Sequence, residues 1–111
     1  MFRHEPSEHK NTIQIEGEMT IYSVSELAGK LIPILNDARL LEINLARVSE
    51  IDSAGVQLLM LARKERHETG QELSLVAHSA AVMEVFKLMD LLSYFDAPME
   101  STKDEGGNYG A

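Results

Sequence analysis

Two hydrophobic periods alternate along the chain, one of two residues and one of three to four, and the switches between them mark its elements. Ile13-Gln14-Ile15-Glu16 alternates as a strand, Gly17 punctuates it, and Glu18-Met19-Thr20-Ile21 resumes the alternation. Ser23-Val24-Ser25-Glu26 has the form of a capping box, with Ser23 as N-cap and Glu26 reaching back. The helix it opens carries Val24, Leu27, Ala28, Leu31 and Leu35 at the spacing of one buried face. Pro33 would clash with the carbonyl of Gly29, so this helix is expected to kink or end near Ile32. Asn36-Asp37-Ala38-Arg39 turns the chain into a buried strand over Leu40–Leu45. An apolar run too long for a strand then reaches Ala62 and reads as a helix that should stop near Gly70. Leu73–Val76 is the next strand, and Ser79 caps a helix over Ala80–Met89 with Val82, Val85, Phe86 and Met89 on one face. Asp90–Phe95 is expected as a short edge strand.

This order, β-β-α-β-α-β-α with a possible last strand, implies an α/β fold: a mainly parallel sheet of four or five strands packed by three or more helices. A chain of 111 residues holds one core. The domain is expected over residues 11–97. Residues 1–10, polar and containing Pro6, read as a flexible arm or the lead into an edge strand, and residues 98–111, polar and Gly-rich, as a disordered tail.

Composition narrows the function classes. A net charge of −8 argues against non-specific binding to nucleic acid or anionic membrane. No apolar run approaches the roughly 20 residues needed to span a bilayer, and the N-terminus has no signal-like apolar region. The absence of cysteine removes disulfide and thiolate chemistry and fits a cytoplasmic setting.

The most informative stretch is Val48-Ser49-Glu50-Ile51-Asp52-Ser53-Ala54-Gly55-Val56-Gln57-Leu58-Leu59, where strand gives way to helix. Asp52 is a strong N-cap, since its carboxylate can accept from backbone N–H groups one turn in. Ser53 would be the first helical residue, and Gly55 permits close backbone approach. A hydroxyl there lies beside the positive end of the helix dipole, where a phosphate dianion is tolerated. Capping alone would also explain Asp52 and Ser53. The following helix carries Ala54, Val56, Leu58, Leu59, Met60, Leu61 and Ala62 with only Gln57 polar, more apolar surface than one stripe against a sheet requires. The excess must meet another helix or a partner.

In its ordered set of motifs the chain resembles the STAS domain, specifically the stand-alone anti-sigma factor antagonists. Gly17-Glu18-Met19 follows the first strand, and Leu41–Leu45 runs toward Ile51-Asp52-Ser53-Ala54-Gly55-Val56. A helix and the Gly70 turn precede Leu73–Val76, and a Ser-x-x-Val helix from Ser79 to Phe86 is followed by Leu92. The resemblance implies that Ser53 is phosphorylated by a partner serine kinase that is itself the anti-sigma factor. It implies that the unphosphorylated protein binds this kinase and frees the sigma factor, and that a PP2C-type phosphatase resets the switch. Asp52, Ser53, Ala54, Gly55, Val56, Gln57, Met60 and Thr20 are the expected partner-binding and switch positions. Thr20 stands where the family often has Asp, Ala54 replaces a common second hydroxyl, and Leu91 stands where Gly often precedes the leucine. STAS domains also serve chemotaxis signalling as adaptors and bacterial lipid-transport complexes as constitutive subunits. In the second of these roles Ser53 would be only a cap.

Other chemistry finds little support. His4, Glu5, Glu8 and His9 lack metal-site spacing, and no hydrolase, dinucleotide or P-loop pattern occurs, so neither a metal, a cofactor nor an enzymatic activity is expected. Arg63-Lys64-Glu65-Arg66-His67-Glu68 reads as a solvated helix end. His78 is expected to cap or pack, and Met60, Met83 and Met89 to belong to the core, Met60 with a possible role toward a partner.

Overall fold

The computed structural model describes residues 1–96. Its elements are β1 (Phe2–Pro6), β2 (Lys10–Met19), α1 (Val24–Leu31), a 3-10 turn (Ile32–Ile34), β3 (Leu40–Ile51), α2 (Ser53–Glu68), β4 (Leu73–Val76), α3 (Ala80–Leu88) and α4 (Leu92–Asp96). The strands form one sheet in the order β1-β2-β3-β4. β1 runs antiparallel to β2, while β2, β3 and β4 run parallel to one another. The expected α/β class, four-strand count and mainly parallel sheet are therefore observed.

The period of two explains which face is covered. Ile13 pairs with Ile43 and Ile43 with Leu75, so all three share one face, and the two isoleucines are fully buried. Leu27, Leu31, Leu59, Ala62, Val82 and Phe86 from the helices join them in a single core cluster. The opposite face carries Thr12, Gln14, Glu42, Asn44 and Ser74, with Lys10 Nζ 3.1 Å from Glu42 Oε1.

Several elements differ from the sequence expectation, each for an identifiable reason. Residues 2–6 are a paired edge strand, the second of the two expected alternatives, and not a loose arm; the reversal is closed by Ser7, whose N–H donates to the Lys10 carbonyl at 2.8 Å. β2 runs unbroken through Gly17, whose φ of +99° absorbs a register shift against β3. β3 extends six residues beyond Leu45, because two such shifts space its inward residues as Leu45, Val48 and Ile51 and so hide the alternation. Asp90–Phe95 is not a strand. Asp90 takes a left-handed φ of +59° and ends α3 in a Schellman turn, with Leu91 N–H donating to Phe86 O and Asp90 N–H to Lys87 O. α4 then lays Phe95 on Phe86, ring centroids 4.9 Å apart and nearly parallel. The expected disordered tail, residues 98–111, lies outside the described residues.

Other boundaries fall where the sequence placed them. Pro33 ends α1 by converting its last turn to 3-10 geometry. Gly70, at φ +75°, terminates α2 in the same Schellman pattern as α3. Ser79 Oγ accepts from Val82 N–H at 3.2 Å and His78 packs edge-on against Phe86. Met60 and Met83 are half-buried and Met89 is exposed, so none of the three is a full core residue.

The clearest correction concerns the charged end of α2. Arg66 is not solvated; it is 1% exposed. Its guanidinium donates to the carbonyls of Leu35, Asp37, Arg39 and Glu72 and to Gln71 Oε1, at 2.8 to 3.1 Å. One side chain thus ties the end of α2 to the turn before β3 and to the start of β4. Burial pushes the Arg66 pKa down, but an arginine starts so far above neutrality that the cation persists. Arg63 is also buried and stacks over the Tyr94 ring at 4.4 Å, joining α2 to α4. Replacing Arg66 by Leu keeps apolar volume but strands several carbonyls, and should destabilise the fold by about 3 kcal/mol in urea denaturation. An unchanged midpoint would show that water can replace the guanidinium.

Candidate functional site

The site is built where the C-terminal ends of β2 and β3 meet the first turn of α2. Asp52 leaves β3 in an extended conformation, and its carbonyl accepts the first helical bond, from Val56 N–H at 3.0 Å. Its Oδ1 accepts from Ala54 N–H at 2.9 Å and Gly55 N–H at 3.2 Å, confirming it as the N-cap. Its Oδ2 accepts from Ile21 N–H at 3.0 Å, and its own N–H donates to Met19 O at 3.2 Å. Asp52 therefore couples two segments 31 residues apart. The bond from Ile21, followed by those from the helix N–H groups, holds the carboxyl below its ordinary pKa.

Gly55 explains how the helix comes so close to β2. A Cβ at this position would stand 2.1 Å from the Met19 carbonyl oxygen and 2.9 Å from side-chain atoms of Ile51 and Met19. Only glycine admits this approach, and with it the Asp52–Ile21 contact.

The loop that Asp52 grips is closed on itself. Thr20 N–H donates to Ser23 Oγ at 3.0 Å, Ser23 Oγ donates to Glu18 O at 2.8 Å, and Thr20 Oγ1 bonds both Glu18 Oε1 and Tyr22 N–H. Ser23 precedes α1 as expected, but its hydroxyl makes no cap bond because it is engaged in this loop. The closed loop turns Ile21 and Tyr22 outward, leaving them 67% and 92% exposed. Continued alternation would have placed Ile21 inward like Met19. The turn at Thr20 reverses that, and the sequence reading missed both residues. Two apolar residues between a strand and a serine cap were the available signal.

The eight expected positions thus divide. Ser53 and Gln57 are exposed, one turn apart on α2, and Ala54 and Met60 are half-exposed beside them. Thr20, Gly55 and Val56 lie beneath the surface; at 1% exposure Val56 belongs to the core and cannot be gripped by a partner. Ile21 and Tyr22 take its place in the exposed apolar surface, joined to Asp52 through the Ile21 amide.

The family model described as Mlab, STAS domain matches residues 2–93, and the chain belongs to the STAS domain family. The anti-sigma-B factor antagonist of Bacillus subtilis is 31% identical over 102 residues, covering 90% of this chain and 91% of that protein. The anti-sigma factor antagonist SpoIIAA in its unphosphorylated form shares the fold, with a TM-score of 0.69 at 24% identity over 82% of each chain. The phosphorylated form of the Bacillus cell fate determinant SpoIIAA superposes with a TM-score of 0.65 at 22% identity, covering 82% of this chain and 85% of that one.

Two outcomes test the geometry. Gly55→Ala should destabilise by about 3 kcal/mol through backbone overlap, whereas Gly29→Ala, with open space around it in α1, should stabilise by roughly 0.5–1 kcal/mol through helix propensity. Opposite signs in paired denaturation curves identify the close approach as the cause. Asp52 has a folded pKa below its unfolded one, so its contribution is present above about pH 4 and is lost as pH falls through the folded value. Asp52→Ala should therefore lower the urea midpoint at pH 7, with the gap to the parent chain closing on acidification. A gap that stays constant with pH would rule out the ionised cap.

Proposed function

We propose that this chain is a regulatory binding module of the anti-sigma factor antagonist type, switched by phosphorylation of Ser53 by a partner serine kinase. The observation that carries the reading is the exposed Ser53 hydroxyl at the first position of α2, bordered by an exposed apolar loop that Asp52 locks in place. The relatives named anti-sigma-B factor antagonists support an anti-sigma factor as the partner class; in this reading that factor carries the kinase activity, a PP2C-type phosphatase resets the switch, and the protein acts in the cytoplasm.

The physics of the switch follows from Asp52. Its carboxylate already accepts the Ala54 and Gly55 N–H groups, so a phosphate on Ser53 gains the helix dipole but not those two donors. The phosphate, carrying about −1.5 to −2 charges, would stand beside an aspartate that is ionised at neutral pH and be driven outward, toward the surface a partner would cover. Tyr22 and Ile21 supply the rigid apolar anchors of that surface, and Gln57, Ala54 and Met60 complete it. Buried against a partner, a tyrosine of this kind is a typical hot spot. Phosphorylation leaves these anchors unaltered and adds repulsion and desolvation at their border, so binding weakens while the fold persists.

Titration calorimetry against the purified cognate kinase, with circular dichroism as the folding control, tests the reading. Ser53→Ala should bind like the parent chain and resist inactivation by kinase and ATP. Ser53→Asp, with about half a phosphate's charge, should bind more weakly without loss of structure. Tyr22→Ala should reduce affinity by about 2 kcal/mol, roughly 30-fold. If Ser53→Asp binds as tightly as the parent and mass spectrometry finds no phosphate on Ser53 in cells, the switch fails. A constitutive subunit of a transport complex, with Ser53 only opening the helix, is then the better description.

A further inference from the structure

β1 is an edge strand of the sheet. Glu16 N–H donates to Met1 O at 2.7 Å and the Met1 amino group donates back to Glu16 O, while Ser7 N–H donates to Lys10 O. Both ends set the same parity: odd residues of β1 direct their backbone groups to β2, and Phe2, His4 and Pro6 direct theirs away from the sheet. Arg3, His4, Glu5 and Pro6 are exposed, and β1 stands at the end of the strand order. The outward donors are the Phe2 and His4 N–H groups; the outward acceptors are the carbonyls of Phe2, His4 and Pro6.

We infer that β1 pairs antiparallel with β1 of a second copy of this chain, about a two-fold axis through His4, with Arg3 of each copy facing Glu5 of the other. Charge selects this register. Outward groups can meet only if paired residue numbers sum to an even value, and of the two-fold axes this allows only those at Arg3, His4 or Glu5 overlap more than a single residue of Phe2–Pro6. An axis at Arg3 sets the two arginines against each other, and one at Glu5 sets the two glutamates against each other. The axis at His4 brings two Arg–Glu pairs together on the polar face of the sheet. It also suits Pro6. The two His4 residues exchange both backbone bonds, and each Phe2 N–H reaches the Pro6 carbonyl of the other copy, so the missing proline N–H falls at the outermost position. The paired edges would form a continuous eight-stranded sheet from two four-stranded ones.

The switch surface stays free in this assembly. β1 pairs with residues 11–15 of β2, whereas Ser53 and the Ile21–Tyr22 loop lie past Met19, at the far end of the same strand. A dimer of this kind presents two Ser53 surfaces to a partner. Pairing through one strand is a small interface opposed by the net charge of each copy, so it should be reversible and favoured by salt.

Sedimentation of the whole chain over a concentration series provides the test, with amide hydrogen exchange as an independent readout. The parent chain should pass reversibly from monomer to dimer. Arg3→Glu and Glu5→Arg, each placing like charges opposite one another, should each weaken dimerisation by at least about tenfold. The double variant carrying both changes restores opposite charges in every pair, and should return to within about threefold of the parent. Dimerisation should slow exchange at the Phe2 and His4 amides and leave those of Arg3 and Glu5, already bonded to β2, unchanged. A chain that stays monomeric throughout, a dimer indifferent to the single reversals, or a double variant no better than either single one would each overturn the inference. Because no kinase enters these measurements, their failure leaves the switch reading untouched.

Discussion

The backbone of α2 meets the end of β2 at Gly55, and the rest of the site depends on that contact. Because no Cβ intervenes, the helix N-terminus sits against the Met19 carbonyl, and Asp52 can serve two segments at once. With its cap bonds it starts α2; with its second oxygen it fixes the Ile21 amide. The Thr20–Ser23 loop and the Ser53 turn then behave as one rigid surface, although the chain reaches them 31 residues apart. A larger residue at position 55 would separate them, and neither would hold its position alone.

The opposite end of α2 is held by a different device. Arg66 reaches carbonyls in two separate segments, so the helix is fixed at both ends by polar groups while apolar residues fill the space between. Buried backbone acceptors need partners, and one guanidinium with several donors satisfies more of them than any other side chain. Arg63 extends the same logic to α4 through Tyr94. With its base clamped and its start docked, α2 can expose Ser53 at its first turn without relying on that turn alone for its stability.

The electrostatics of the site follow from its capping. An ionised Asp52 is needed to hold the loop, and its charge then limits what can be added beside it. A phosphate on Ser53, if the proposed switch operates, would meet the helix dipole and a fixed carboxylate together, an arrangement that favours an outward-facing phosphate on an intact helix. Thr20 contributes from below: buried, it closes the loop that exposes Ile21 and Tyr22.

Most of the framework was legible in the residue pattern, because local chemistry dictates it. Asp52, Ser79, Pro33 and Gly70 start and stop helices through bonds or clashes within a few residues, and the α/β order followed from periodicity. The position of Ser53 at a helix start needed nothing more. The features that sequence reading missed are those created by contacts across long separations. The late part of β3 lost its alternation to register shifts against β2, and α4 replaced a strand because Phe95 finds Phe86. Arg66 carries no local sign of burial, since the carbonyls it serves lie up to 31 residues away and only folding gathers them. Ile21 and Tyr22 likewise became a surface, and Val56 core, only once Asp52 had taken hold of a loop on the neighbouring strand.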